Sequence, residues 1–149
     1  MTLSGGDTCT IRPMHAVVLG CGRVGSGVAM RLADASYTVS VIDQVSASFD
    51  RLEGRERFET FEGHALDLTV LRAAGIERAD ACIVATNGDN TNLVIGQVAM
   101  KLFHVHSVIV RVLDPARAET YAGFGLNTVC PTSGAIDLLV TGILRDGAA

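Results

Sequence analysis

The chain has 149 residues and a formal net charge of −4, a length that supports one domain with a sizeable core. It carries no long basic run, which argues against a nucleic-acid partner. No apolar run approaches the ~18–20 residues needed to span a bilayer, so direct membrane insertion is not expected. Lysine is used once, at Lys101, and no secretory apolar region follows Met1.

In chain order, residues 1–13 are polar and contain Gly, Ser and Thr, and they read as a disordered leader. From there strand and helix alternate. Strands are expected at His15–Gly20, Thr38–Asp43, Phe58–Glu62, Ala81–Thr86, Ser107–Leu113 and Asn127–Cys130. Helices are expected at Val24–Ala35, Ala47–Glu53, Leu68–Ala74, Thr91–Phe103, Pro115–Phe124 and Ser133–Leu144. Asp114-Pro115 reads as a cap followed by a first helical residue. The continuous apolar run Cys82-Ile83-Val84-Ala85 suits a strand covered on both faces. This alternation predicts an α/β fold, a Rossmann-like doubly wound parallel sheet of six strands in the order 3-2-1-4-5-6. Ligand is then expected over the carboxyl ends of strands one and four. The Thr91–Phe103 helix has more apolar surface than one sheet face requires, and either a second subunit or a neighbouring helix would take it up. In the last helix Ile136, Leu139, Val140 and Ile143 form an i, i+3, i+4, i+7 stripe, expected to meet a partner rather than its own sheet.

Gly20-Cys21-Gly22-Arg23-Val24-Gly25 sits at the turn from the first strand into the first helix, and Asp43 follows 18 residues later. This is the dinucleotide fingerprint. Gly20 permits the tight turn, Gly22 lets backbone approach a pyrophosphate, and Gly25 allows close packing of helix on strand. The unpaired N–H groups that open the helix suit phosphate. Asp43 is placed to accept from a ribose diol, and its charge disfavours a 2′-phosphate. NAD is therefore expected over NADP, with ATP, ADP and AMP sharing the same diol. Arg111 interrupts an apolar strand and needs an anionic partner, either a ligand phosphate or Asp89 or Asp114.

The cysteines Cys9, Cys21, Cys82 and Cys130 form no C-x-x-C pair and are read as reduced thiols. Cys21 in the glycine loop is either a small residue that fits the turn or a redox-sensitive thiol. No metal site is expected from the histidines, and His104 and His106 read as turn residues.

Several strings occur together and in order: Gly63-His64-Ala65-Leu66-Asp67, Leu71-Arg72-Ala73-Ala74-Gly75-Ile76, Ala79-Asp80-Ala81, Ala85-Thr86-Asn87-Gly88-Asp89-Asn90-Thr91-Asn92, Val110–Pro115 and Gly125–Pro131. With the fingerprint they resemble the TrkA-N, KTN or RCK-N domain, the nucleotide-binding lobe of potassium-conductance regulators, over about Met14 to Leu144. The resemblance implies that residues 14–132 form this domain and that 133–149 form a crossover or dimerisation helix and tail. It implies a non-enzymatic cytoplasmic regulator, peripheral at the inner face of the plasma membrane. Such a regulator binds NAD(H), or alternatively ATP/ADP, forms homodimers or higher rings, and gates a membrane-embedded potassium transporter or channel. By position, Gly20, Gly22, Arg23, Val24 and Gly25 would hold phosphates, with Arg111 approaching them. Asp43 would hold ribose, Asp67 and Leu68 would lie near adenine, and Thr86 and Asn87 would line the crevice.

The chain departs from the family where an acid is replaced by His64, and where an acidic pair reads Asp89-Asn90. The second departure weakens a magnesium-assisted ATP site and favours NAD(H). Asp89 and Asn90 are expected to cap the following helix rather than touch ligand. The alternative function is a small NAD-dependent oxidoreductase or its cofactor-binding fragment. Against it stands the lack of a Tyr-x-x-x-Lys pair or any histidine near the crevice besides His64. A methyltransferase reading is disfavoured by the all-parallel sheet and by arginine in the glycine loop.

Overall fold

The computed structural model describes residues 11–148. Cys9 and the expected leader up to residue 10 lie outside the described residues. Six strands are present: β1 (His15–Leu19), β2 (Thr38–Asp43), β3 (Phe58–Glu62), β4 (Ala81–Val84), β5 (Ser107–Arg111) and β6 (Asn127–Val129). The α-helices are α1 (Arg23–Asp34), α2 (Leu68–Ala73), α3 (Asp89–Lys101), α4 (Pro115–Gly123) and α5 (Pro131–Asp146). The segment expected as a helix after β2 is a 3-10 turn, Ser46–Arg51. All pairings are parallel and the order is β3-β2-β1-β4-β5-β6, as the alternating pattern predicts.

Alternation along the strands splits the core into two layers. Val17, Leu19, Cys82, Val84, Val108 and Val110 face one way and meet α2, α3 and α4 through Leu71, Leu93, Ile95, Ala99 and Ala118. Val18, Val39 and Val41 face the other way and meet α1 and the 3-10 turn through Ala29 and Phe49. At Gly96 an added Cβ would fall 2.4 Å from Val110 Cγ2, so glycine sets the close seating of α3 on β5. At the amino end of the sheet Asp80 accepts both guanidinium nitrogens of Arg12 (2.9 and 3.0 Å) and the N–H of His15 (2.8 Å). Arg12 and that N–H hold the Asp80 carboxyl below its ordinary range.

Four strands stop one or two residues earlier than expected, which leaves Gly20, Ala85-Thr86, Val112-Leu113 and Cys130 outside them. The first three of these form the carboxyl rim of the sheet. Helix α3 begins two residues earlier than expected, at Asp89, and Asp114 caps α4 by accepting the N–H of Arg117 at 2.9 Å. His104 takes a positive φ of 53°, as a turn residue does. No residue of α5 is buried, and Ile136, Leu139, Val140 and Ile143 are 52–74% exposed. Val94 on α3 and Leu102, which follows its last residue, are the exposed remainder of that helix's apolar surface.

Among the described residues Cys21, Cys82 and Cys130 are free thiols. Burial pushes Cys82 up to about 12, and burial beside Asp43 pushes Cys21 up to about 11. The Cys21 thiol donates to Ser48 O at 3.3 Å, so it fills the turn and is not a reactive thiolate. The Cys130 thiol is drawn below its ordinary value by hydrogen bonding with Ser133. In a Cys9→Ser variant, alkylation of the native protein at pH 8 will label Cys130, and Cys21 and Cys82 only after unfolding. Labelling measured by mass spectrometry checks this.

The fingerprint glycines differ in what the fold asks of them. A Cβ at Gly25 would fall 1.7 Å from Gly20 O, whereas a Cβ at Gly22 meets nothing within 4 Å. Gly25→Ala is expected to cost about 3 kcal/mol, the upper range for overpacking, or roughly 6–12 °C in Tm. Gly22→Val is expected to cost under about 1 kcal/mol. Thermal melts of the two variants read this contrast.

Candidate functional site

The rim encloses an open cavity of about 710 Å³, within the ordinary range for small-molecule sites. It lies between the carboxyl ends of β1 and β4, where the strand order reverses.

One wall is the glycine turn. Gly20 has φ +95°, and a Cβ there would lie 2.6 Å from Ala85 O. This close approach brings the β4 rim beside the loop. Ser26 Oγ donates to Gly22 O at 2.7 Å and steadies the loop from the first turn of α1. Arg23 occupies the first helical position, is exposed, and lines the cavity with Gly20, Gly22 and Val24. Gly25 lies beneath as the packing glycine. The space a Cβ would take at Gly22 stays open towards the cavity, a cradle that the fold itself does not use.

The second wall is the end of β2. Asp43 accepts the N–H of Cys21 at 2.7 Å on one oxygen and that of Val45 at 2.8 Å on the other. The carboxylate thus pins the glycine turn to β2. Each oxygen keeps acceptor capacity, since an ionised carboxylate offers about four lone-pair sites. Ser48 and Arg51 come from the 3-10 turn and face the same space.

The third wall is the β4–α3 rim with the end of β5. Thr86, Asn87, Gly88 and Thr91 line it together with Arg111. Arg111 Nη2 donates to Thr86 O at 2.7 Å, while its Nε is buried without a hydrogen-bond partner. Neither of the carboxylates suggested by the sequence is its partner. Asp89 accepts the N–H groups of Leu113 (2.8 Å) and Asp114 (2.9 Å), and Asp114 is occupied as the α4 cap. The expected capping role of Asp89 and Asn90 is also corrected. Gly88 is the cap residue of α3 and makes no side-chain bond, Asp89 ties α3 to the β5–α4 turn, and Asn90 accepts from Arg117 at 2.6 Å.

Gly20, Gly22, Arg23, Val24, Asp43, Thr86, Asn87 and Arg111 therefore converge on one cavity. Asp67 and Leu68 are not on its wall. Asp67 accepts the N–H of Thr69 at 2.9 Å and caps α2. His64 Nδ1 accepts the N–H of Leu66 at 3.1 Å, an internal turn bond. Arg51 was not anticipated as a wall residue. It is one of many arginines in a polar stretch, and no local pattern sets it apart. With it, among the described residues three guanidinium groups face the cavity against one carboxylate, in a chain whose net charge is −4. Among the described residues no group of three or more His, Cys, Asp or Glu is arranged to hold a metal.

The cavity's chemistry is that of an anion site with one diol acceptor. Arg23 and the opening N–H groups of α1 face the Gly22 cradle, Arg111 approaches from β5, and Asp43 stands at the end of β2. This donor set fits a nucleotide with two or more phosphates. Arginine and backbone N–H groups suit phosphate, and a half-buried carboxylate suits a ribose diol.

Comparison with known proteins agrees with this geometry. The TrkA-N domain model matches residues 16–132. The chain is 40% identical over 135 residues to the Trk system potassium uptake protein TrkA of Streptomyces coelicolor, covering 91% of this chain and 60% of that protein. Among solved structures, GsuK bound to ADP superposes with a TM-score of 0.73 at 24% identity, covering 85% of this chain and 32% of that one. The GsuK channel bound to NAD superposes with a TM-score of 0.64 at 21% identity, covering 82% and 22%. At those identities the likeness shows a common fold. The matched span takes in the glycine turn, Asp43, the Thr86–Asn92 rim and Arg111, and the chain belongs to the TrkA-N domain family.

Proposed function

We propose that this chain is a nucleotide-sensing regulatory lobe of a potassium transporter or channel, and that its signal is NAD(H), with ATP/ADP as the alternative. The observation that carries the reading is the open cradle at Gly22 faced by Arg23 and Arg111, a cation-lined space with a single carboxylate at the ribose end. Relatedness to the Trk system potassium uptake proteins supports the transport context, although the chain spans only 60% of the first of these. The ADP- and NAD-bound GsuK structures support the ligand class. Asp43 favours an unmodified diol, and the lack of a second carboxylate on the wall disfavours a magnesium-assisted triphosphate.

A regulatory rather than catalytic role is supported by the wall itself. Among the described residues it contains no histidine, tyrosine, lysine or cysteine to move a proton in hydride transfer. Binding then acts by linkage. A ligand shifts an assembly only through its differential affinity for two states, and tenfold per site is worth about 1.4 kcal/mol. A cytoplasmic position against a membrane partner follows from this role. No helix among the described residues is long and apolar enough to cross a membrane itself.

The assembly we propose is a homodimer, or a ring of dimers, through α5. Its apolar stripe is exposed along the helix, and a second copy would cover it with the same stripe. The double variant Leu139→Glu/Ile143→Glu is expected to sediment as a monomer that still unfolds cooperatively, since neither side chain is buried in the protomer, with a Tm lowered only by the loss of dimerisation. A wild-type protein that is monomeric at 100 μM or thereabouts would overturn this mode of assembly.

For the ligand, thermal melts with NADH, NAD, ATP and ADP are decisive. At a hundred times Kd a specific ligand contributes about 2.7 kcal/mol, roughly 5–11 °C for a domain of this size. Gly22→Val, which adds a branched side chain in the cradle, is expected to abolish the shift. If none of the four ligands raises Tm, the chain is not a nucleotide sensor. Substrate-dependent oxidation of NADH would favour the oxidoreductase instead.

A further inference from the structure

We propose that Asn92, which is not on the cavity wall, is the positioning residue that presents Arg111 to a ligand's phosphates. This inference rests on the nucleotide-sensor reading. Asn92 is 1% exposed and sits in the first turns of α3. All the hydrogen-bonding capacity of its carboxamide is used. Oδ1 accepts the N–H of Thr86 at 3.1 Å and the Thr86 hydroxyl. Nδ2 donates to Thr86 O and to Arg111 O, both at 3.0 Å.

These bonds stand where β4 and β5 no longer pair with each other. The last β4–β5 ladder pair is Val84 with Val110. Thr86 and Arg111 lie beyond it, and the Asn92 side chain bridges them in place of ladder bonds. The same Thr86 carbonyl that Asn92 holds also accepts Arg111 Nη2 at 2.7 Å. Thr86, Asn92 and Arg111 thus close a ring. Within it the guanidinium is anchored by one N–H, and among the described residues it has no carboxylate partner. A guanidinium has five N–H donors, so it is held in place and still short of acceptors, the condition in which a phosphate oxygen is favoured.

Asparagine is a poor choice for helix propensity alone at this position. Its side chain does not cap α3, whose cap residue is Gly88. The bonds it makes run to the two strand ends that carry cavity residues. A role confined to packing would affect every ligand alike through the folded fraction. A positioning role acts on the phosphate-binding part of the ligand only.

Asn92→Leu separates the two. It keeps the side-chain shape and removes the bonds to Thr86 and Arg111 O without placing a charge beside the guanidinium. Titration calorimetry with ADP and with adenosine is expected to show at least tenfold weaker ADP binding and adenosine affinity within twofold of wild type. Equal loss of both ligands, or unchanged ADP affinity, would overturn the role. If the variant does not fold, the wild-type protein still tests the premise, that Arg111 meets the phosphates, by nitrogen-15 NMR of the Arg111 Nε–H. ADP must shift that resonance while adenosine leaves it in place, and a resonance indifferent to ADP overturns the proposal. Wild-type protein that binds neither ADP nor NADH removes the sensor reading itself, an outcome distinct from ADP binding that ignores Asn92.

Discussion

The site depends on a contact between two backbones. At the end of β1 the chain turns at Gly20 with φ +95°, and its α-carbon lies so near Ala85 that a Cβ would fall 2.6 Å from that carbonyl oxygen. One turn later, Gly25 brings α1 against the Gly20 carbonyl. Two glycines thus lock three elements, β1, α1 and the β4 rim, into van der Waals contact. Gly22, placed between them, gives its carbonyl to Ser26 and leaves the space of a Cβ unfilled. The hollow is what remains when the packing on either side has been made as close as backbone allows.

Charge is distributed around that hollow in an order that follows the sheet. Asp43 ends β2 and gives both oxygens to the backbone N–H groups of Cys21 and Val45. Its first role is therefore structural, since it fixes the glycine turn against the next strand. Arg23 and Arg51 are exposed on the wall, whereas Arg111 is half-buried with an unpartnered Nε. An unpaired buried donor costs about 1–3 kcal/mol, and under the proposed function a ligand's phosphate would offset part of that cost. Exposed guanidinium groups add steering more than affinity, because solvent screens them. Under the proposed function Arg111 is thus the cation whose environment would change most on binding.

The sheet was legible in the sequence because its causes are local. Apolar runs flanked by glycine and by capping residues placed all six strands, and Asp114-Pro115 marked the start of α4. The boundaries missed were those at the rim. Gly20, Thr86 and Leu113 follow directly on the apolar runs of their strands yet lie outside them, and Gly20 and Thr86 line the cavity. Asp89 was misread as a cap because its partners, Leu113 and Asp114, lie 24 and 25 residues away. Asn92 was visible within a motif, but a carboxamide that bridges two strand ends has no signature in residue spacing. Local propensity encodes the elements, whereas the site is made of contacts between their ends.

Those end contacts also connect the cavity to the surface left uncovered. Thr86 and Arg111 are joined through Asn92, and Asp89 in the same helical turn holds the backbone of Leu113 and Asp114. The Leu113 carbonyl in turn accepts the Cys130 thiol at 3.6 Å, at the residue that opens α5. The core beneath is close-packed, with Val84, Ile95 and Val110 fully buried, and cores of this kind resist graded deformation. The rim beyond the last ladder pair is held by single side chains and deforms at less cost. In the proposed regulator, a ligand's differential affinity for two states of an assembly would therefore arise at the rim, with its phosphates at Arg111. The bonds from there to the residue that opens α5 lie beyond the β4–β5 ladder rather than in the core.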